Sequence, residues 1–334
     1  MNNAVKIIAI ALLSLLLSSP ASAKTLKFAT LAPAGTTWMK EMMAGADRVE
    51  QRSAGRVKLK FYPGGVMGND QSVHRKIKIG QLHGGAFTQA GLAHASTNSI
   101  QALGLPMLFR SLAEVSYVRE RIDPVLKREV EANGFVVLGI SEGGFARILS
   151  KQPMQDLEAL RASKVWVPEG DDVGLTVFKD LGITPISLPI SDVFTGLQTG
   201  LIETVPVNPA SAIAFQWHTS TSYMTDVPIT LLVGILAIEK SEFDKLAAED
   251  QAVLREEMGA VFKRLDELNR ADNEAALAAL QQQGIEIVTP KPGEVERWRE
   301  ISDRSVDTMV ESGVISASIV EQLRSLLREF RGKP

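Results

Sequence analysis

The stretch AEDQAVLREEMGAVFKRLDELNRADNEAALAALQQQ, residues 248–283, decides how the rest of the chain is read. Leu254, Met258, Val261, Leu265 and Leu268 recur along it at spacings of four, three, four and three, which lays one apolar stripe down a single helix. No proline interrupts the run, and Gly284 marks its end. At 1.5 Å per residue a helix of roughly 35 residues is about 50 Å long, more than one domain of this size needs. The spacing therefore predicts a helix that lies across two domains and ties them together.

Outward from that helix, short β-branched or apolar runs alternate with amphipathic stretches. A first series reads strand 26–30, helix 37–53, strand 57–62, helix 71–79, strand 85–88, helix 112–133 and strand 135–140. Within it Ser111-Leu112-Ala113-Glu114 has the spacing of a capping box, and Asn133-Gly134 ends the helix that it opens. A second series reads strands 147–150 and 165–167, helix 172–181, strand 184–188, helix 192–199, strand 204–207 and helix 209–219. The rhythm predicts the α/β class with a largely parallel sheet. Gly139 to Gly144, glycine-dense and short of stiffening side chains, reads as the crossover between the series. A buried strand, Leu231 to Ile238, carries the chain back, and helices 294–311 and 317–331 close it. Expected boundaries are 24–144 plus about 232–270 for the first lobe, and 145–231 plus about 271–334 for the second.

Composition agrees with two domains: 334 residues, 45% apolar and 22% charged. The absence of cysteine removes disulfides, thiol catalysis, Cys-based zinc sites and a lipid-modified N-terminal cysteine. A formal charge of −3 offers no basic surplus for a nucleic acid. Lys6, the apolar run Ile7 to Leu17 and the small residues Pro20-Ala21-Ser22-Ala23 form the three parts of a secretory signal cut after Ala23. Later in the chain, the twelve apolar-rich residues from Val227 to Ile238 fall short of the roughly 20 that a membrane helix needs. An exported protein, neither spanning nor lipid-anchored, is the expectation.

The common nucleophile, metal and phosphate signatures are missing, and His74, His83, His94 and His218 are scattered. No enzyme activity, metal or cofactor is expected. Glu169, Asp171 and Asp172 sit just before a helix, where capping is the favoured role; a negative rim for a cationic ligand is the alternative.

Specific residues sharpen this. Leu26 to Pro33, Gly55-Arg56-Val57, Tyr62-Pro63-Gly64-Gly65 with Gly68, Ile79 to Leu82, and Leu105 to Phe109 follow one another in order. So do Val165 to Pro168, Leu181 to Pro185, Gly196 to Gly200 and Asn208-Pro209. In order and spacing these resemble the DctP family, the extracytoplasmic solute receptors of tripartite ATP-independent periplasmic (TRAP) transporters. The resemblance covers Lys24 to about Gln283. It implies a two-lobe periplasmic-binding-protein clamshell with hinge crossings, which captures a small organic solute and delivers it to one small and one large membrane subunit. A monomer is expected, with a dimer through the amphipathic tail Ile315 to Phe330 left open. A sensor or envelope protein presenting a ligand to a membrane signalling partner is the alternative.

The resemblance also implies an arginine clamp on a ligand carboxylate, and here this chain departs. Trp166 stands where most members carry that arginine, Ala146 where many carry a second, and Pro206-Val207 where a Gln-Glu pair precedes the kept Asn208. An aromatic wall in place of an anion clamp follows, suited to a more apolar ligand. Arg147 can supply a cation if its strand carries a bulge, which keeps an organic acid in play. Trp166 and Asn208 lead the expected ligand contacts, with Trp38, Phe87, Thr88, Phe145, Phe194 and Trp217 as further candidates near strand ends.

Overall fold

The computed structural model describes residues 23–93 and 95–332; of the expected export signal, all but Ala23 lies outside them. The chain forms β1 (Lys24–Thr30), α1 (Thr37–Arg52), β2 (Val57–Tyr62), α2 (Asp70–Lys78), β3 (Gly84–Thr88), α3 (Gln89–Ala93), α4 (Leu112–Ala132) and β4 (Phe135–Ser150). Next come α5 (Leu157–Arg161), β5 (Trp166–Pro168), α6 (Asp172–Asp180), β6 (Ile186–Leu188), α7 (Val193–Thr199), β7 (Thr204–Val207), α8 (Pro209–Ala214) and β8 (Tyr223–Glu239). It closes with α9 (Lys240–Asp244), α10 (Ala248–Gln282), β9 (Glu286–Val288), α11 (Glu294–Glu311) and α12 (Ala317–Arg331). Among the described residues no helix is long and apolar enough to cross a membrane.

The main sheet runs β2-β1-β3-β8-β4-β7, with β9 on the free part of β8. It is mixed, not largely parallel. β1 pairs parallel with β2 and β3, whereas β8 is antiparallel to β3 and β4, and β4 to β7. The helical rhythm of the flanking βα units masked two long strands that run the length of the molecule. β8 meets β3 near its end, through Gly234 to Ile238, and β9 near its start, through Tyr223 to Thr225, so it belongs to both lobes.

The glycine-dense crossover is itself a strand. Gly139 to Gly144 lies inside β4, hydrogen-bonded to β8, with register shifts between Val137 and Gly139, Glu142 and Gly144, and Ala146 and Ile148. Glycine here marks bulges and close approach. At Gly139 an added Cβ would stand 2.3 Å from the Phe262 ring of α10.

The helix α10 crosses both lobes, and its face changes character along the way. Leu254, Met258, Val261, Phe262 and Leu265 are buried against Leu26 and Phe28 of β1, Val136 and Leu138 of β4, and Leu236 and Ile238 of β8. Leu268 is only half-buried, because the next residues on that face are polar. Asp266, Asn269, Arg270 and Asn273, spaced i, i+3, i+4 and i+7, face the glycine-rich part of β4. Asn269 donates to the Glu142 carbonyl at 2.7 Å and Asn273 to the Gly143 carbonyl at 2.8 Å. Asp266 accepts from the Glu142 N–H at 2.7 Å, and Arg270 pairs with the Glu142 carboxylate at 2.5 Å. The buried Arg119 of α4 joins them, bonded at 2.8 Å to Asp266, Asp123 and the Ile140 carbonyl. Apolar contact resumes at Ala276 and Leu280, the latter in a second core with Trp166 and Trp217.

Two further differences concern helices. The run predicted as helix 209–219 ends at Ala214, and a short 3-10 turn, Trp217–Ser220, follows Gln216, whose φ of 59° breaks the helix. The C-terminal helices do not both belong to the second lobe: α11 packs on α6, while α12 returns to α4. Arg331 of α12 pairs with Glu114 at 2.8 Å. Glu114 also accepts from the Arg110 N–H at 2.7 Å, one residue earlier than a simple capping box, and its own N–H bonds Ser111 Oγ at 3.2 Å.

Gly139→Ala is expected to force Phe262 aside and cost about 1–3 kcal/mol, read as a lower urea midpoint at unchanged slope. For Glu114, burial pushes the carboxyl up, but the bonds from Arg331 and from the Arg110 N–H outweigh it and hold the group below its ordinary value. Its contribution is complete above the unfolded carboxylate value of about 4.3 and is lost as pH falls through the depressed folded value. Glu114→Gln should therefore lower the melting temperature at neutral pH, with the difference from wild type vanishing in acid; thermal unfolding over a pH series checks it.

Candidate functional site

Thr30, Thr88, Pro168 and Val207 are the last residues of β1, β3, β5 and β7, and all four face one cavity of about 530 Å³. Its floor includes Gly143 of β4 and Thr230, Leu232, Val233 and Gly234 of β8, and Asn269, Asp272, Asn273 and Ala276 of α10 close its back. A ligand there touches both lobes and the strands that join them, the position expected beyond the carboxyl ends of strands in open α/β sheets.

Aromatic rings form much of the wall. Trp38, early in α1, lies so close over β8 that a Cβ on Gly234 would stand 2.1 Å from its ring. Its other contact is edge-on to Phe262 at 5.2 Å. On the second lobe Trp166 meets Trp217 edge-on at 5.4 Å, and Phe215 stacks on Trp217 at 5.3 Å. Trp166 and Trp217 are each 3% exposed, so they are core and cavity wall at once. The Trp166 indole N–H donates to the Leu188 carbonyl at 3.0 Å, which fixes the ring without using its faces.

Asn208 is the N-cap of α8: its Oδ1 accepts from the Ser211 N–H at 2.9 Å and its Nδ2 donates to the Gly143 carbonyl. It lines the cavity while stitching the second lobe to the crossing strand. Phe87 reaches the cavity from a buried site where its ring stacks on His74 at 4.8 Å, and the Thr88 hydroxyl accepts from the Gly91 N–H at 3.0 Å.

Trp38, Phe87, Thr88, Trp166, Asn208 and Trp217 thus share one cavity. Phe145, Arg147 and Phe194 do not line it. Phe145 packs on the core beside β4, and Phe194 on the cluster around Trp166. A bulge does fall between Ala146 and Ile148, yet the Arg147 guanidinium goes to Asp226 at 3.0 Å, away from the cavity. Several lining residues were not singled out from the sequence: Gln89 and Gln101 of the first lobe, Phe215, and Asn269, Asp272 and Asn273 of the long helix. Only the last three left a signal, an unbroken polar face in the middle of an otherwise apolar stripe.

The charge of the cavity is one-sided. Among the described residues no Lys, Arg or His lines it, while two carboxylates do, Asp171 and Asp272. Neither has an ion-pair partner among the described residues. Asp171 caps α6, its Oδ1 accepting from the Gly174 N–H at 2.9 Å, and burial pushes its carboxyl above the ordinary value. No group of three or more His, Asp or Glu among the described residues is arranged to hold a metal ion.

A family model, DctP, "Bacterial extracellular solute-binding protein, family 7", matches residues 28–312. The 2,3-diketo-L-gulonate-binding periplasmic protein of Escherichia coli is 27% identical over 251 residues, 73% of this chain and 74% of that protein. The dicarboxylate-binding periplasmic protein DctP of Rhodobacter capsulatus is 22% identical, over 90% of this chain and 91% of its own length. Among solved structures, the sugar acid binding protein of Advenella mimigardefordensis in complex with galactonate superposes with a TM-score of 0.85 at 21% identity, covering 92% of this chain and 98% of that one. A TRAP periplasmic solute binding protein of Shewanella oneidensis with bound succinate gives 0.84 at 17% identity, over 92% and 100%. The two lobes, the crossing strands and the cleft between them are those of the TRAP solute-binding fold, and the chain belongs to the DctP family of bacterial extracellular solute-binding proteins.

Proposed function

We propose that this chain is the periplasmic receptor of a TRAP transporter, that it is exported with its signal removed after Ala23, and that it hands a small organic solute to one small and one large membrane subunit. The relatives are named for the solutes they bind, and a cavity of about 530 Å³ at the lobe junction is of the size that encloses a small molecule. Binding without chemical conversion is the activity such a cleft performs: lobe closure on a ligand is hinge motion of two bodies about crossing strands. The sensor alternative has no observation in its favour.

One observation sets this receptor apart in the reading proposed: the cavity has aromatic walls and no cationic side chain among its described lining residues. The relatives' named ligands include a sugar acid and dicarboxylates. A buried carboxylate is held by charge-assisted, often bidentate, bonds from arginine, and its desolvation is otherwise uncompensated. With Trp166 in the cleft and Arg147 committed to Asp226, the anchor passes to aromatic surface and to neutral polar groups. The bound solute is accordingly not held through a carboxylate.

Thermal shift of the mature protein tests this. A solute at a hundred times its dissociation constant adds about 2.7 kcal/mol and raises the melting temperature visibly. Succinate and galactonate at millimolar concentration are expected to leave the melting temperature unchanged, while an uncharged or non-acidic solute raises it and shrinks the radius of gyration in solution scattering. Trp166→Ala should weaken that solute more than about tenfold, with loss of packing lowering the melting temperature as well. Strong binding of either carboxylate would overturn the reading.

A further inference from the structure

The chemistry of the cleft narrows the solute further, on the reading that the cavity is a receptor site. Among the described residues two carboxylates and no cationic side chain line it. Asp171 and Asp272 present carboxylates without a cationic partner among the described residues, and Asp171 lies between Trp166 and the start of α6. On the opposite lobe, Gln101 is 4% exposed and lines the same cavity, yet its Oε1 has no hydrogen-bond partner among the described residues. A buried acceptor left open costs stability unless something in the cavity supplies a hydrogen. The neighbouring Gln89 shows the contrast: its Nε2 donates to the Leu231 carbonyl at 2.9 Å and its Oε1 accepts from the Val233 N–H at 3.0 Å. Gln89 is finished by the fold, whereas Gln101 awaits a donor.

The aromatic walls point the same way. Trp38, half-buried, lines the cavity from α1, and an indole ring attracts a cation to its face. Trp166 and Trp217, each 3% exposed, add only a small aromatic surface to the wall, the first held by its bond to the Leu188 carbonyl and the second stacked on Phe215. An unpaired carboxylate in a cavity with aromatic walls is chemically suited to an ammonium group, which carries only donors and a positive charge. An anion would meet Asp171 and Asp272 with nothing to offset the repulsion.

We infer that the solute is an organic ammonium compound, its cationic nitrogen held by Asp171 within the aromatic-walled cavity and a further N–H or O–H given to Gln101 Oε1. Three matched sets test the charge alone: phenethylamine, phenethyl alcohol and phenylacetate; cadaverine, pentanediol and glutarate; glucosamine, glucose and glucuronate. Thermal shift followed by titration calorimetry is expected to rank the ammonium member first in at least one set. Asp171→Asn, which keeps the helix cap because asparagine caps as well as aspartate, should then lose about tenfold or more for the ammonium member and little for the alcohol. Gln101→Leu should weaken the same ligand without changing its preference for positive charge. If the alcohol or carboxylate member binds best, or if no ammonium member binds, the ammonium inference is wrong. A neutral solute that binds and closes the lobes would sink this inference and leave the receptor reading standing; a carboxylate that does so would sink both statements about ligand charge and leave only the receptor itself. Equal loss of all three members in Asp171→Asn would assign Asp171 to scaffold alone and likewise overturn the proposal.

Discussion

Everything in this molecule depends on satisfying two carbonyl groups, those of Glu142 and Gly143, where β4 bulges as it passes between the lobes. A bulged strand leaves peptide groups out of the ladder, and buried peptide groups without partners are too costly to keep. The donors come from side chains placed one helical turn apart, Asn269 and Asn273 of α10, and from Asn208 at the start of α8. This explains why the long helix is polar at its middle and apolar toward both ends. It also explains why the helix has to be long: a shorter one could pack on either lobe but could not hold the strand between them.

The same residues face the cavity, so the joint and the binding site share a wall. Gly143, Asn208, Asn269 and Asn273 all line it. A solute pressed against that wall touches the hydrogen bonds that set how the lobes are joined. This gives closure a physical route that needs no separate relay, because differential contact with two lobe arrangements is what shifts an equilibrium between them. On the first lobe the wall is set by steric necessity, since Trp38 can lie on β8 only because residue 234 has no side chain. On the second it is set by a bond, the Trp166 indole to the Leu188 carbonyl.

How much of this was legible in the sequence follows from which signals are local. The stripe Leu254, Met258, Val261 and Leu265 gave the long helix its place because periodicity is a property of consecutive residues. The βα units near strands β1, β2 and β3 were legible for the same reason. Gly139 to Gly144 is legible as a crossover but not as a strand, because glycine density looks alike whether it permits flexibility or permits contact; only the ring of Phe262, more than a hundred residues away, distinguishes them. The sheet was read as parallel because helix–strand alternation says nothing of two long strands that pair with each other across both lobes. In the cavity, Trp166 is found through the family resemblance, and Trp38 and Trp217 through their place beyond strand ends. Phe145 and Phe194 were expected there as well, but Phe145 lies inside β4 and Phe194 in α7, and both pack on the core. Gln101 left no trace at all, being an ordinary amide in a short 3-10 turn whose meaning lies in an acceptor that nothing fills.

The charged pairs of the joint, unlike its asparagines, stand apart from the cleft, and this bears on which charges lining it can change. The interactions that join the lobes end on backbone carbonyls and N–H groups or on charges paired among themselves: Arg119 with Asp123 and Asp266, Arg270 with Glu142. None of those pairs involves Asp171, Asp272 or Trp166. A charge lining the cavity can therefore be exchanged for an indole, or a cation for an acceptor, without leaving any member of the joint unsatisfied. Within a fold built this way the net charge of the whole chain, −3, is silent about the ligand, because it counts surface and joint equally. The charge that matters is the local one, and at the carboxyl ends of these strands it is negative.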